Sequence, residues 1–479
     1  MNPKPDEAFE RMSDRSIAGF DRRGDTAFIS CSPLPMCEHD AAGRFDPFPL
    51  TDMQQAYWIG RKAGFELGNM GIHSYLEFET ELIDELRFER AWNCICNRHD
   101  MLRAIVHENG TQQVLAQTVH YKINVVDITS LDYRDRLEYL HRVRYRLSHQ
   151  LFSPNQWPAF ELCITHMDAT SVIHVSLDGL FVDAWSLNIL FDECWLAYSR
   201  SQTCLPELPI TFRDYVMASR SMRDTDEFRR SLDWWRSRID EIPGPPALPI
   251  VRRPGSMQRR RFSRKSGRIS DDQWQQIRSI ISSLRLTAPC VLITAFAEVL
   301  AGWSSESRFT LNIPRFDRMP LHSQVDNLVG EFASFTLVVY DHSCANDLLG
   351  RAQAVQAQMW AVLARGLISG GDVLRLISCA RGRGAAAFPV VFTANPTLGR
   401  LRRRATIGGW VGKVSNSITQ TPQVWLDFQA GEDSGALTFN VDSVDGMFPG
   451  DFIDSLIDEL QKRLIGLIGS QPVGNSACS

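Results

Sequence analysis

The sequence predicts a mixed α/β (α+β) protein built from two comparable lobes. Three observations carry that expectation. The chain has 479 residues, too many for one ordinary domain and enough for two or three, each with a proper core. Beyond about residue 45, runs with helical spacing alternate with short β-rich runs, without an internal repeat of fixed period. Midway, the segment Ile242 to Gly255 carries five prolines and two glycines. Neither regular helix nor central strand tolerates that density, so it reads as a long ordered loop or crossover.

Taken in order, residues 1–45 are polar and aperiodic and read as a tail or linker. The first lobe is expected over 46–220, the second over 221–470, and a short tail over 471–479. In the first lobe, VSLDGLFVDAWS (Val175 to Ser186) sets Asp178 and Asp183 in an otherwise apolar run. Ile173, Val175 and Leu177 alternate on one strand face, and a helical pattern follows from Ala184 to Trp195, so both acids lie around a strand end and its loop. Three readings of the pair compete: a metal or acid/base pair, a buried structural ion pair, or the relic of another catalytic motif. As a metal site it is weak, because a hard cation needs more oxygen ligands than this stretch offers.

In the second lobe, Phe228, Leu232, Trp235 and Ile239 recur at helical spacing and read as core packing. FPVVFTANP (Phe388 to Pro396), TPQVWLDFQA (Thr421 to Ala430) and ALTFNVDS (Ala436 to Ser443) read as strands. In the second of these, Val424, Leu426 and Phe428 alternate with Gln423, Trp425 and Asp427, which puts Asp427 on the face opposite the apolar one. An acid there points into a cleft or into solvent.

Apolar residues make up 44% of the chain, charged residues 22%, and the formal net charge is −5. That balance implies no overall attraction to nucleic acid or membrane. The eleven cysteines are scattered, odd in number and never form CxxC, which excludes a disulfide framework and a zinc site and fits a reduced, cytoplasmic setting. The first residues lack an apolar targeting core. The longest apolar run, Val291 to Trp303, is broken by Glu298 and too short to span a bilayer, so a soluble protein is expected. Two basic clusters, Arg259 to Lys265 and Arg400 to Arg404, lack interleaved aromatics and read as solvated loops rather than nucleic-acid patches.

Several longer stretches carry a resemblance. FPLTDMQQAYWIGR (Phe48 to Arg61) and NRHDMLRAIVHENGTQQ (Asn97 to Gln113) resemble the first two signatures of the heterocyclization domains of nonribosomal peptide synthetases. Asp178, Asp183 and Ser186 match the family's DxxxxDxxS, and IPGPPALPI its proline-rich signature. TAPCVLITAFAEVLAGW, LNIPRFDRMPLHSQVDNLVGEFAS, PVVFT and QTPQVWLD follow in the family's order, so the resemblance covers about residues 46 to 460. Departures are modest: GEFAS (Gly330 to Ser334) stands for GDFTS, VVFTA for VVFTS with Ala394, and Val441-Asp442 for WD.

The resemblance implies a two-lobed, V-shaped fold similar to chloramphenicol acetyltransferase, with a central tunnel loaded from opposite ends by donor and acceptor carrier proteins. Substrates would ride on the carriers' phosphopantetheine arms, with no cofactor or metal bound directly. The implied reaction joins a carrier-bound acyl group to carrier-bound Cys, Ser or Thr, then cyclises and dehydrates the product to a thiazoline or oxazoline. Thr393 and Asp427 match the Thr and Asp to which the family assigns cyclodehydration. Ordinary condensation domains carry HHxxxDG; aligning its Asp with Asp183 puts Asp178 on the first His and Gly179 on the second, catalytic one.

Asp183 is expected to be mainly structural, paired with Arg315 or Arg318. Asp178 stays open between architecture and a part in condensation. Asn312, Gln420 and Ser186 are candidates for the substrate-lined tunnel, while Tyr57 and Gln54 brace the first lobe. Either basic cluster could meet an acidic carrier or the phosphopantetheine phosphate. The chain would be a freestanding protein working in trans or a piece of a larger synthetase, partnered by other synthetase modules. Two other readings are amide-forming condensation without cyclisation, and a noncatalytic recruitment module of the same fold.

Overall fold

A computed structural model describes residues 35–62, 70–200, 205–252, 261–394 and 413–469. The first half runs β1 (Phe48–Pro49), α1 (Asp52–Gly60), β2 (His73–Glu81), α2 (Glu85–Arg98), β3 (Ala104–Val106), β4 (Thr111–Val114), β5 (Asn124–Asp127), α3 (Tyr133–Leu147), β6 (Phe160–His166), β7 (Thr170–Asp178), α4 (Ala184–Ser199) and α5 (Phe212–Ser221). The second runs α6 (Asp226–Arg236), β8 (Phe262–Ile269), α7 (Asp271–Ser283), α8 (Ala288–Trp303), β9 (Arg308–Phe316), β10 (Ala333–Asp341), α9 (Leu348–Leu363), α10 (Gly370–Arg381), β11 (Val390–Ala394), β12 (Lys413–Gln420), β13 (Leu426–Asp433), β14 (Ala436–Val444) and α11 (Phe452–Gly469). This is the mixed, two-lobed α/β architecture.

Each lobe is organised around a sheet. The first has the strand order β12-β2-β7-β6-β5, the second β10-β9-β11-β13-β14-β8, and β1-β4-β3 form a small third sheet. Strand β12 comes late in the chain yet pairs antiparallel with β2, so the second half contributes an edge to the first lobe's sheet. The loop that contains Leu321, Val325, Leu328, Val329 and Phe332 likewise packs into the first core. Both exchanges tie the lobes together.

Period-two alternation gives the second sheet one apolar and one polar face. Leu311, Phe392, Leu426, Phe428 and Val441 pack with Trp274 of α7, Phe296 of α8 and Leu460 of α11 in the second core. Phe296 stacks on Phe428 with ring centroids 4.7 Å apart. Register puts Asn312 beside Val391, Val391 beside Asp427, Asp427 beside Asp442 and Asp442 beside Arg264. Paired residues point to the same side, so all of these share the other face.

Two expectations change and a third, the ordered proline-rich crossover, holds. Polarity made residues 1–45 a tail, but the described part of it is held: Cys37 is buried, its N–H donates to the Leu321 carbonyl at 2.9 Å, and His39 Nδ1 lies 2.8 Å from Asp214 Oδ2. A polar segment needs few apolar contacts when its backbone and charges are satisfied. Strand β13 begins at Leu426, not at Thr421, because Gln423 sits in the left-handed region at φ 63° and turns the chain. In the proline-rich crossover, residues 242–252 have no regular structure, and Val251 N–H anchors them to the Met447 carbonyl at 2.9 Å.

Among the described residues Cys37, Cys96, Cys163, Cys194, Cys290, Cys344 and Cys379 are free thiols. No single described helix is long and apolar enough to cross a membrane. Helix α8 is apolar because it fills the second core, and its buried Glu298 is held by Arg351 at 2.7 Å and Arg463 at 2.9 Å. The basic cluster Arg400 to Arg404 lies outside the described residues, as do Arg259 and Arg260.

Candidate active site

Asp427 stands on the polar face of β13 and is only 8% exposed. Thr393, on neighbouring β11, donates its hydroxyl to Asp427 Oδ1 at 3.1 Å. Gln429, two residues along the same face, donates its amide to Asp427 Oδ2 at 2.8 Å. Both carboxylate oxygens therefore have a donor.

Burial pushes the Asp427 carboxyl up to about 6, and the adjacent charge of Asp442 adds to that rise; the donors Gln429 and Thr393 pull against it. A carboxyl that exchanges its proton near neutrality is suited to act as both acid and base. Tyr57 of α1 is buried, and its phenol is pushed up by burial and then by the charges of Glu331, Asp427 and Asp183. The first lobe thus presents a neutral phenol to the same region. Asn312, on the same sheet face, keeps a buried Oδ1 without a hydrogen-bond partner.

Two residues that matter here were missed from sequence. Gln429 follows Asp427 at the strand period and could have been found by extending the alternation by one step. Glu331 was noted only as a departure in GEFAS; it is buried, and burial together with the Asp183 charge raises its carboxyl well above the usual range.

Asp178 and Asp183 do not form one cluster, because each is held by its own arginine. Both oxygens of Asp178 are gripped by Arg61 Nη2, and Leu180 N–H donates to Oδ1 at 2.9 Å. Burial raises this carboxyl while Arg61 opposes the rise. Between them, Gly179 donates its N–H to the Ile72 carbonyl, and a Cβ at this position would come within 2.7 Å of Ile72 Cγ1. The space a histidine would need is filled by isoleucine.

Asp183 caps α4, accepting from Ser186 N–H at 2.6 Å, and it meets Arg318 Nη2 at 3.3 Å and Phe332 N–H at 3.3 Å. Of the two candidate arginines, Arg318 reaches it. Arg315 instead binds Asp317 at 3.2 Å and the Gly366 carbonyl at 2.7 Å. Ser186 is fully buried; its hydroxyl donates to the Gly330 carbonyl at 2.9 Å and accepts from Arg318 at 2.9 Å, so it fastens the 330–332 loop. Gln420, also buried, donates to the Gly71 carbonyl at 3.2 Å. Gln54 and Gln112, one from each of the first two signatures, exchange amide hydrogen bonds at 2.8 and 2.7 Å.

The condensation-domain family matches residues 46–472. A pyochelin synthetase, PchF, of Pseudomonas aeruginosa is 35% identical over 415 residues, which is 86% of this chain and 23% of the relative. Phenyloxazoline synthase MbtB of Mycolicibacterium paratuberculosis is 35% identical over 440 residues, 90% of this chain and 37% of the relative. The chain thus spans between about a quarter and two fifths of these curated relatives. The crystal structure of the EpoB cyclization-docking bidomain from Sorangium cellulosum superposes with a TM-score of 0.83 at 32% identity, covering 92% of this chain and 88% of that one. The chain belongs to the condensation-domain family, in the heterocyclization branch found in nonribosomal peptide synthetases.

Proposed function

We propose that this chain condenses an upstream carrier-bound acyl thioester with carrier-bound Cys, Ser or Thr and then closes the product to a thiazoline or oxazoline. In the first stage the acceptor amine displaces the donor thiol and forms an amide. In the second, the acceptor's own thiol or hydroxyl adds to the amide carbon. The carbonyl oxygen leaves as water, carrying the two protons shed by the nucleophile and the amide nitrogen.

The observation that supports this most is the Thr393 to Asp427 hydrogen bond on a buried polar sheet face. Asp427, with its carboxyl near neutrality, takes the proton from the nucleophile or nitrogen and returns one to the departing oxygen. Thr393 orients it. Asn312, with its free buried carbonyl oxygen, is the group to hold the amide N–H. The closed pocket at Gly179 fits a condensation stage that relies on positioning the amine rather than on a histidine base. Donor and acceptor carrier proteins with phosphopantetheine arms are the partners this chemistry requires.

The test is reconstitution with an acyl-loaded donor carrier and an acceptor carrier loaded in turn with Cys, Ser and Thr, read by intact mass. The expected product is lighter than the linear amide by one water. Asp427→Ala should accumulate linear amide and lose the ring by a factor of about 100 or more. Full ring yield from that variant would remove Asp427 from the reaction.

A further inference from the structure

Behind the Thr393 and Asp427 pair lies a set of groups to which the proposed chemistry gives no part. Asp442 of β14 is completely buried. Arg264 of β8 clamps it with two bonds, Nε to Oδ1 at 2.6 Å and Nη2 to Oδ2 at 2.5 Å. Thr419 N–H, on β12, adds a donor to Oδ2 at 3.3 Å, and Gln429 Nε2 another at 3.2 Å. Burial raises the Asp442 carboxyl, and the bidentate guanidinium and two N–H donors oppose that rise by favouring its anion.

The orientation of Gln429 follows. Arg264 Nη2 donates to Gln429 Oε1 at 3.1 Å, and a guanidinium has no acceptor to offer. The amide carbonyl must therefore face Arg264, which turns the NH2 group toward the two carboxylates. One of its protons meets Asp427 Oδ2 at 2.8 Å and the other lies toward Asp442 Oδ2 at 3.2 Å. Arg264 also reaches Ser417 Oγ of β12, so the orienting group is itself pinned across both sheets.

We propose that Arg264, Asp442 and Gln429 are positioning residues for ring closure: Arg264 fixes Asp442 and the Gln429 amide, and Gln429 and Asp442 together set the orientation and proton affinity of Asp427. This rests on the assignment of Asp427 to cyclodehydration. Two opposing influences act on Asp427. Gln429 stabilises its anion by donating a hydrogen bond, and Asp442 destabilises that anion by like charge. Thr393 and Arg264 side with Gln429. From the first lobe, the buried phenol of Tyr57 feels the charge of the same carboxylate and stays neutral.

Removing each influence moves Asp427 in a predictable direction. Gln429→Met keeps the side-chain length and deletes the donor, so the limb of the ring-closure pH profile that Asp427 governs should move alkaline. Asp442→Asn deletes the neighbouring charge, so the same limb should move acid. Shifts of about half a pH unit or more in opposite directions are expected, with ring closure slowed about tenfold or more in Gln429→Met.

The measurement is single-turnover ring closure from pH 5 to 9 with cysteinyl-loaded acceptor carrier, linear amide and ring being quantified separately. A merely structural role would slow both stages and leave the limb in place. Unmoved limbs, or two shifts of the same sign, overturn the proposal. Should Asp442→Asn fail to fold, the sign of the Gln429→Met shift decides alone. If Asp427→Ala still closes the ring, the functional assignment fails. If it does not, but both profiles superimpose on the wild type, only the positioning role falls.

Discussion

A carboxyl raised inside a folded protein holds its proton more tightly than the same group in the unfolded chain, and that difference acts on stability. For Asp427 the folded value is about 6 against an ordinary 3.8. Between those pH values the folded state binds more protons than the unfolded state, so this group's contribution to stability falls as pH rises through the window. Above it, the ionised buried carboxylate costs on the order of 3 kcal/mol. Asp427→Asn removes the charge and should stabilise the protein at pH 8 by about 1 to 3 kcal/mol, while leaving it nearly unchanged at about pH 2.5, below both values, where the carboxyl is neutral in both states. Chemical denaturation at the two pH values checks this, and an Asn variant less stable at pH 8 would contradict the raised carboxyl. The expected coincidence, a more stable protein that no longer closes rings, is how strain at a working residue shows itself.

At the scale of elements, the α4 N-terminus joins cap, ion pair and loop. Asp183 supplies the capping oxygen, neutralises Arg318 and holds the 330–332 loop through Phe332 N–H. Asp183→Ala leaves a nearly buried guanidinium, 5% exposed along its side chain, without its carboxylate. The expected loss is about 3 to 5 kcal/mol, with amide formation and ring closure falling together. A variant of normal stability that loses only one stage would give Asp183 a chemical role. The contrast with Asp427 shows where sequence was legible. Alternation at period two placed Asp427 correctly because a strand's faces follow from local order alone. Arg264 was hidden in a run of arginines that resembles any solvated loop, and it became part of the site only through pairing of β8 with β14. Asp442 was likewise visible only as an altered signature. Its neighbours come from β8, β12 and β13, and no local pattern encodes that register.

Across the whole molecule, the signatures could be recognised singly along the chain, but which of them meet is decided by the fold. Asp52, in the first turn of α1, is a case in point. It belongs to the first lobe, yet it accepts from Ser369 Oγ at 2.5 Å and Arg375 at 3.2 Å, beside or on α10 of the second lobe, and from Arg223 at 2.9 Å. Asp372 shares both arginines, at 2.9 and 2.5 Å. Two acids and two arginines therefore bridge the lobes at the point where Met53 packs between the first core and the α10 cluster. Asp52→Asn preserves shape but leaves two cations facing one carboxylate. Because the arginines are part-exposed, the loss of global stability should stay within about 1 kcal/mol and shrink as salt is added. Its local effect should be larger in proportion, since the bridge competes with thermal opening between the lobes and not with global unfolding. Amide hydrogen exchange is expected to quicken at the first turns of α1 and α10, with β13 and β14 unaffected. If exchange at those turns is unchanged, the apolar contacts of Met53 hold the lobes together without help from the charges.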